Sequence, residues 1–229
     1  MIKIIHIAFE LWGCIFCLIA AVCIWWSLGM EAIKRKLLLF MQLGTSLLLL
    51  MDVLAWGFRG YPGPVGFYMV RISNFLVFII TVVIMILFHG YVCSYIFGSL
   101  SWKGISWEVK LVYLSGAAGI LLIILSQFNG MYYYFDADNI YHRNWLYPLS
   151  MVPAIIEVSV DVSLLIRYRK QIKERVMCVM LSYLLLPSLS VIVQTFYYGI
   201  SFETVFYLQY ADNHQASVQN GPRDGGRND

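Results

Sequence analysis

Six long apolar segments, separated by short polar connections, dominate the pattern of hydrophobic and polar positions along this chain. Each is close to the roughly 20 mostly apolar residues that a helix needs to cross a bilayer. A continuous apolar run of this length favours a transmembrane helix over a strand or an amphipathic helix. The pattern therefore predicts an all-α fold, a multi-span transmembrane helical bundle within residues 1–200, with about six spans at 7–29, 37–58, 67–97, 109–128, 145–166 and 176–200.

Positive charge is concentrated in alternate connections between these spans. Basic residues occur at 34–36, at 103–110 and, most densely, at 167–175. The two intervening connections contain only Arg59 and Arg143 as basic residues. Because short loops rich in lysine and arginine remain in the cytoplasm, this alternation predicts a multi-pass plasma-membrane protein with its N-terminus outside.

Composition supports a membrane protein and argues against several other classes. The chain has 229 residues, of which 60% are hydrophobic and 13% charged, whereas a soluble domain has about 25% charged residues. The basic run at 167–175 is therefore interpreted as a topology signal and a contact for anionic lipid, not for nucleic acid. Cys14 and Cys17 form a C-x-x-C without a second Cys/His pair, which favours helix packing over a metal site. The lipid bilayer is the predicted partner, and no metal, cofactor or nucleic acid is expected.

The last part of the chain, 201–229, differs from the rest. It is polar and rich in glycine, and its apolar portion at about 204–211 is too short to span a bilayer. This composition predicts a disordered tail. Six spans that start outside would leave that tail outside as well.

Polar side chains are concentrated toward the predicted outer ends of the spans. Ionisable groups in the hydrocarbon cost about 2.5–3.5 kcal/mol on insertion scales and usually face the bundle interior. Asp52, Trp56 and Arg59 share one helix face, because they are spaced i, i+4 and i+7. The full candidate ligand-binding set is Glu10, Asp52, Trp56, Arg59, Arg71, Asn74, Arg143 and Gln194.

Two interpretations of this set remain open from the sequence. In the functional one, it lines a pocket that opens outward, and Arg59 or Arg71 binds an anionic group. In the structural one, Asp52 pairs with Arg71 or Arg59 and holds the helices together. The structural interpretation is favoured, and the two are compatible.

A second polar pair lies deeper, on the fifth span. Glu157 and Asp161 are spaced i, i+4, so they share a face and would suit cation binding or proton relay. The favoured interpretation is structural: the two carboxylates hydrogen-bond neighbouring helices, or they lie close to the basic loop and neutralise Arg167. The four histidines, at 6, 89, 142 and 214, are dispersed without paired spacing, so each is expected to be structural.

The connection at 129–144 reads NGMYYYFDADNIYHRN and is both aromatic and polar. Its aromatic residues are typical of an interfacial belt. The run at 132–135 also favours extended structure, and the following Asp-Ala-Asp-Asn is a turn signal. A short β-hairpin or lid over the outer face is therefore a second prediction for this loop.

Several of these segments together resemble the N-terminal membrane sensor domain of bacterial signalling proteins. In that family a seven-helix module with its N-terminus outside precedes a cytoplasmic GGDEF diguanylate cyclase domain, a histidine kinase or another output domain. The resemblance covers about residues 1–202. It rests on Asp52 with AWGFRGYPG at 55–63, RISNF at 71–75, YYYFDADNIYHR at 132–143, LIRYRK at 165–170 and LLLPSLSVIVQTFYYGIS at 184–201.

The resemblance implies a sensory input module that binds an unknown extracellular small molecule and can form a homo-oligomer. The chain departs from the family after 201, where a seventh helix and an output domain would follow. A truncated or frameshifted product without catalytic output, hence not an enzyme, is therefore expected. The alternatives are a small transporter or channel subunit using Glu157 and Asp161, and an integral membrane enzyme using carboxylates. Inverted repeats or broken helices would favour a transporter. A set of His, Asp and Glu residues at one depth in the membrane would favour an enzyme. The sequence shows none of these features.

Overall fold

The computed structural model describes residues 2–27, 30–98 and 106–199, except for the side chains of 2, 186–187 and 190–199. Six α-helices account for most of these residues: α1 (Ile2–Trp25), α2 (Ala32–Phe58), α3 (Gly63–Phe97), α4 (Trp107–Asn129), α5 (Val152–Arg167) and α6 (Glu174–Gly199). The predicted disordered tail at 201–229, and Lys103, lie outside the described residues.

Five helical segments are long and apolar enough to cross a membrane: Lys3–Trp25, Ala32–Phe58, Gly63–Phe97, Trp107–Asn129 and Tyr147–Arg167. The all-α, multi-span prediction is thereby confirmed, and each predicted span overlaps an observed helix, with boundaries that differ by up to seven residues. The sixth predicted span, 176–200, coincides with α6, part of whose side chains lies outside the described residues. Which side of the membrane the N-terminus faces stays a prediction.

Proline and glycine set two of the helix boundaries. Helix α3 begins at Gly63 and carries proline in its first turn, where the missing N–H costs nothing and the fixed φ suits a helix. Helix α4 ends at Gly130, whose φ of 64° is left-handed and whose N–H donates to the Ser126 carbonyl at 2.9 Å. Such a glycine satisfies an otherwise unpaired carbonyl and turns the chain out of the helix.

Among the described residues, those up to 177 form one compact unit, which contains all the sites described below, and 178–199 belong to a second. Within the first unit, α1 packs on α2, α2 on α3, α3 on α4 and α5, and α4 on α5. Long-range contacts join helix starts to the ends of their neighbours, as between Lys3 and Gly57 or between Arg167 and Glu108. Successive helices from α1 to α5 are therefore antiparallel, and α1 and α3 start at the same end of the unit.

A two-stranded antiparallel hairpin connects α4 to α5 at that end, which is called the hairpin end below. Strands β1 (Tyr133–Phe135) and β2 (Tyr141–Arg143) pair Tyr133 with Arg143 and Phe135 with Tyr141. The extended structure predicted for this loop is confirmed. A 3-10 helix, Tyr147–Met151, then leads directly into α5.

The base of the hairpin packs into the bundle. Tyr132 and Tyr133 are buried beside Val82 and Ile123. The Tyr133 ring stacks on Phe78 with centroids 5.1 Å apart, and its hydroxyl accepts a hydrogen bond from Gln127 at 2.7 Å. Burial raises the pKa of Tyr133 to about 12. The hairpin is therefore an anchored part of the fold.

Candidate functional site

Three ionisable side chains meet at the hairpin end, and they are called the hairpin-end cluster: His6, Glu10 and Asp52. His6 and Glu10 lie one helical turn apart on α1, and Asp52 comes from the second half of α2. His6 Nε2 lies 3.0 Å from Glu10 Oε1 and 3.5 Å from Asp52 Oδ2. One donor atom from each residue fits in a group whose members are all within 4.8 Å of one another.

The cluster is partly shielded from solvent and incompletely satisfied. The side chains of His6, Asp52 and Glu10 are 37%, 30% and 13% exposed. Within the described part of the chain, His6 Nε2 and Glu10 Oε2 are buried atoms without a well-aligned hydrogen bond. Unsatisfied buried polar atoms are uncommon in native structures and call for an explanation.

Aromatic and basic residues surround the cluster without neutralising it. The Trp56 ring meets His6 edge-on with centroids 4.8 Å apart, and the Arg59 guanidinium lies 5.3 Å from the Trp56 ring centre. Lys3 Nζ donates to the Gly57 carbonyl at 3.2 Å. The predicted shared face of α2 is thus present, but its arginine is engaged by an aromatic ring.

Arg71 has a different partner from the one expected. Its Nη1 donates to the Asn139 side-chain oxygen at 2.9 Å and to the Phe67 carbonyl at 3.0 Å. Its guanidinium also lies 3.6 Å from the centre of the Phe67 ring. The expected pairing of Asp52 with Arg71 or Arg59 is therefore wrong, because helix rotation turns Asp52 toward His6. Asn74, on α3, donates to the carbonyl of its own preceding turn at 2.7 Å.

Asn139 fixes the hairpin to the turn between α2 and α3. Its φ of 59° is left-handed, which asparagine tolerates better than most residues. Its Nδ2 donates to the Tyr61 carbonyl at 3.1 Å, and its own carbonyl accepts from the Gly60 N–H at 3.4 Å. Sequence reasoning missed this residue, although an asparagine at the end of an Asp-Ala-Asp turn was the available signal.

The hairpin tip has its own pair of ionisable side chains in contact, Asp136 and His142. Asp136 accepts hydrogen bonds from the backbone N–H groups of Asp138 and Ile140 and lies 2.8 Å from His142 Nε2. The hydrogen bond with His142, assisted by these amides, lowers the pKa of Asp136. Arg143 lies with its guanidinium 4.2 Å from the centre of the Tyr147 ring. The side chain of Gln194 is outside the described residues.

A second set of ionisable side chains lies inside the bundle. Two of them, His89 and Asp161, contact each other and are called the core pair. His89 Nδ1 on α3 is 2.6 Å from Asp161 Oδ1 on α5, and both side chains are completely buried. Cys93 Sγ lies 3.6 Å from His89 Nε2, and the Tyr113 ring meets the imidazole edge-on. The predicted hydrogen bond of Asp161 to a neighbouring helix is therefore confirmed. The other expectation, that Asp161 neutralises Arg167, is wrong, because Asp161 lies against His89 in the interior.

Arg167 instead pairs with Glu108 at the opposite end of the bundle. Its two terminal nitrogens donate to the two carboxylate oxygens at 3.0 and 3.1 Å. This parallel arrangement is the geometry that guanidinium and carboxylate groups prefer. It joins the end of α5 to the start of α4.

Glu157 adds a further carboxyl group to the bundle interior. It is 2% exposed and lies one helical turn from Asp161 on α5. It faces a small cavity that is otherwise lined mostly by apolar groups of α3, α4 and α5, among them Val82, Val112 and Pro153. The second oxygen of Asp161, Oδ2, has no hydrogen-bond partner among the residues that the structure describes.

The structure thus groups histidines that the sequence left dispersed. His6 and His89 each come together with carboxylates from another helix, and His142 pairs within the hairpin. Which helix faces contact each other is set by interhelical packing, so spacing along the chain does not reveal these groups. Imidazole nitrogen and carboxylate oxygen are also the donor types that bind zinc and similar ions.

Comparison with known proteins adds no relative: no protein-family model, no curated protein and no solved structure matches the chain. The resemblance to bacterial membrane sensor domains therefore stays a prediction.

Proposed function

We propose that this chain is the membrane-embedded sensory input module of a bacterial signal-transduction protein, acting in the plasma membrane. The observation that carries the proposal is the convergence of polar groups at the hairpin end of a transmembrane bundle. His6, Glu10 and Asp52 come from two helices and retain unsatisfied atoms there. Buried polar atoms without partners are uncommon in native structures, and here they lie at an end of the bundle, in side chains that are partly exposed to a ligand.

The docked hairpin supplies the element through which a stimulus at this end is expected to reach the helices. Asn139 contacts both Arg71 at the start of α3 and the Tyr61 carbonyl between α2 and α3. The hairpin also continues into the short helix that precedes α5. A change in the hairpin's position would therefore act on α2, α3 and α5 together.

These helices extend from the hairpin end to the opposite end of the bundle, which is called the basic end because Lys34 and Arg167 lie there. Signalling to a cytoplasmic partner would occur at the basic end. At the basic end, Arg167 and Glu108 join α5 to α4. Lys34 lies 4.2 Å from the centre of the Tyr95 ring and so joins α2 to α3. These contacts are exposed or partly exposed, and exchange of such contacts is a common basis of helix rearrangement.

The proposal can be tested by asking whether the two ends are coupled. The full chain in lipid nanodiscs would be compared with its Asn139→Ala variant by hydrogen–deuterium exchange. Loss of the Asn139 contacts should increase exchange in the hairpin. It should also change exchange at 31–36 and 168–175, at the basic end. Asp138→Ala is the matched control, since Asp138 is exposed and its side chain makes no contact in the described structure.

A change confined to the hairpin in Asn139→Ala would contradict the sensory proposal, because a sensor must transmit. An equal change at the basic end in Asp138→Ala would also contradict it, since the effect would then not depend on docking. A change in exchange at the basic end that occurs in Asn139→Ala and not in Asp138→Ala would support the sensory proposal.

One observation favours the alternative of a small transporter. Glu157, buried on α5 and facing a cavity one turn from the core pair, resembles the intramembrane carboxylates that carry protons in pumps and transporters. Proteoliposomes with an internal pH dye would test this. Proton uptake that is driven by an imposed gradient and abolished by Glu157→Gln would favour transport over sensing.

A further inference from the structure

The donor atoms of the hairpin-end cluster are those of a transition-metal site. His6 contributes an imidazole nitrogen, and Glu10 and Asp52 contribute carboxylate oxygens. Three protein ligands of these types with a fourth position for water are characteristic of open zinc sites. A stabilising surface network would more often pair each carboxylate with lysine or arginine. Here the ion-pair contacts of both carboxylates within the described residues are with His6 alone.

The separations between these atoms also fit an ion. Bonds of about 2.0–2.2 Å in a tetrahedron place neighbouring ligand atoms about 3.3–3.6 Å apart. His6 Nε2 lies 3.0 Å from Glu10 Oε1 and 3.5 Å from Asp52 Oδ2, and one donor atom from each of the three residues lies within 4.8 Å of the other two. Binding one ion would require the carboxylates to approach each other by side-chain rotation.

The unsatisfied atoms point to the same missing partner. His6 Nε2 and Glu10 Oε2 are both buried, and neither makes a well-aligned hydrogen bond within the described chain. His6 Nε2 is the ring nitrogen nearest to both carboxylates. A metal ion bound there would complete the coordination of both atoms at once, which no single protein donor in the described structure does.

No lysine or arginine forms an ion pair with the two carboxyl groups of the cluster in the described structure. Glu10 and Asp52 each place a carboxylate oxygen beside His6, and their ion-pair contacts there are with His6 alone. Lys3 and Arg59, two basic residues at the same end, contact the Gly57 carbonyl and the Trp56 ring instead. A divalent cation would therefore be the counter-charge that this group of donors lacks.

We propose that His6, Glu10 and Asp52 bind one divalent transition-metal ion of the zinc type, with at least one coordination position open toward the hairpin end. Because carboxylate and imidazole ligands must be deprotonated to bind a metal, binding weakens as the pH falls. Trp56 packs against the imidazole and limits its rotation. The site does not depend on the sensory role, although a metal bound here would be a stimulus for it.

Metal titration of the full chain tests the site directly. The protein would be purified in detergent, freed of metal with a chelator, and titrated with Zn²⁺ against a chromophoric competitor. The wild type should bind one ion per chain. His6→Gln and Asp52→Asn should each weaken binding by more than about 100-fold, beyond the 10–100-fold losses typical of supporting residues.

His142→Gln is the matched control, because His142 is a partly exposed histidine at the same end but outside the cluster. It should leave the affinity for Zn²⁺ unchanged. Equal losses in His142→Gln and His6→Gln would overturn the proposal, as would full affinity in Asp52→Asn or failure of the wild type to bind one ion.

Cobalt distinguishes this site from the cysteines on the same helix. Co²⁺ bound by His6, Glu10 and Asp52 gives visible ligand-field bands without a thiolate charge-transfer band. A thiolate band would place the ion on Cys14 and Cys17 and overturn the proposal. Thermal unfolding separates binding from misfolding: Zn²⁺ should raise the midpoint of the wild type and of His142→Gln. It should leave that of Asp52→Asn unchanged.

Discussion

The hairpin-end cluster and the core pair use the same residue types in opposite ways. In the core pair, His89 and Asp161 are completely buried and 2.6 Å apart. In the hairpin-end cluster, His6 is 37% exposed and its contacts to Glu10 and Asp52 are 3.0 and 3.5 Å. The core pair joins α3 to α5 in the interior, whereas the cluster joins α1 to α2 near an end.

The difference shows that the degree of burial decides whether such side chains serve mainly stability or mainly ligand binding. The fully buried histidine and carboxylate contact each other because neither can reach water and an unpaired buried charge is costly, although the second oxygen of Asp161 lacks a hydrogen-bond partner in the described structure. The hairpin-end cluster differs in its access, because its three side chains are partly exposed and a ligand from solution can reach them. The core pair is therefore expected to matter mainly for stability, and the cluster mainly for ligands.

The largest expected effect concerns the orientation of the protein, which decides from which side of the membrane a ligand reaches the hairpin-end cluster. A reporter active only in the cytoplasm should work when it is fused after Lys173 and fail when it is fused after Asp138. The reason is that basic loops stay in the cytoplasm, which would leave the hairpin end outside. The opposite pattern would show that the predicted orientation is wrong.

The next effect separates the two regions by stability. Asp161→Leu or His89→Leu should each destabilise the protein by about 3–5 kcal/mol, because each leaves its partner buried and unpaired. The double variant should regain much of this loss. Unfolding in detergent would measure all three, and a double loss equal to the sum of the single losses would show that the two residues are not partners.

A smaller effect concerns the partner of Asp52. Asp52→Leu and Arg71→Leu should have additive effects to within about 0.5 kcal/mol, since Arg71 contacts Asn139 and not Asp52. Asp52→Leu and His6→Leu should not be additive. Measured coupling between Asp52 and Arg71 above this limit would restore the pairing expected from the sequence.

The smallest effect is on the hairpin tip and depends on pH. Because contact with His142 lowers the pKa of Asp136 from its ordinary 3.8, the contact contributes stability above that pH. This contribution is lost as the pH falls through the lowered pKa of the folded state. Amide protection in the hairpin, corrected for intrinsic exchange, should fall on acidification in the wild type and less so in Asp136→Asn. An equal fall in both would exclude Asp136 as the cause.

The spans were predictable because bilayer thickness imposes a length and an apolar composition on each helix. The grouping of polar side chains at one end of the bundle was also predictable, because the position of a residue along its helix sets its depth in the membrane. Asp52 and Glu10 are examples. Their pairing did not follow, because it depends on how each helix is rotated about its own axis. The sequence places Asp52 and Arg71 at similar depth, but packing of α1 on α2 gives Asp52 a histidine instead.

The hairpin was predictable in part for a similar reason. The aromatic run at 132–135 indicated extended structure, and the strands formed where it was expected. Docking by Asn139 involves Tyr61, a residue 78 positions away, and no local pattern specifies such a contact. The same holds for the core pair, whose members are 72 positions apart.

The first helix has a mechanical consequence for the cluster. Helix α1 is the least buried of the five candidate spans and packs chiefly on α2, so most of its surface is uncovered by the other described residues. It carries both His6 and Glu10, while Asp52 is held by the better-packed α2. Helix tilt responds to bilayer thickness, and tilting α1 would slide two donors past the third. Lipids of different chain length should therefore change the geometry of the hairpin-end cluster. The affinity of the cluster for a ligand would then depend on the thickness of the surrounding bilayer.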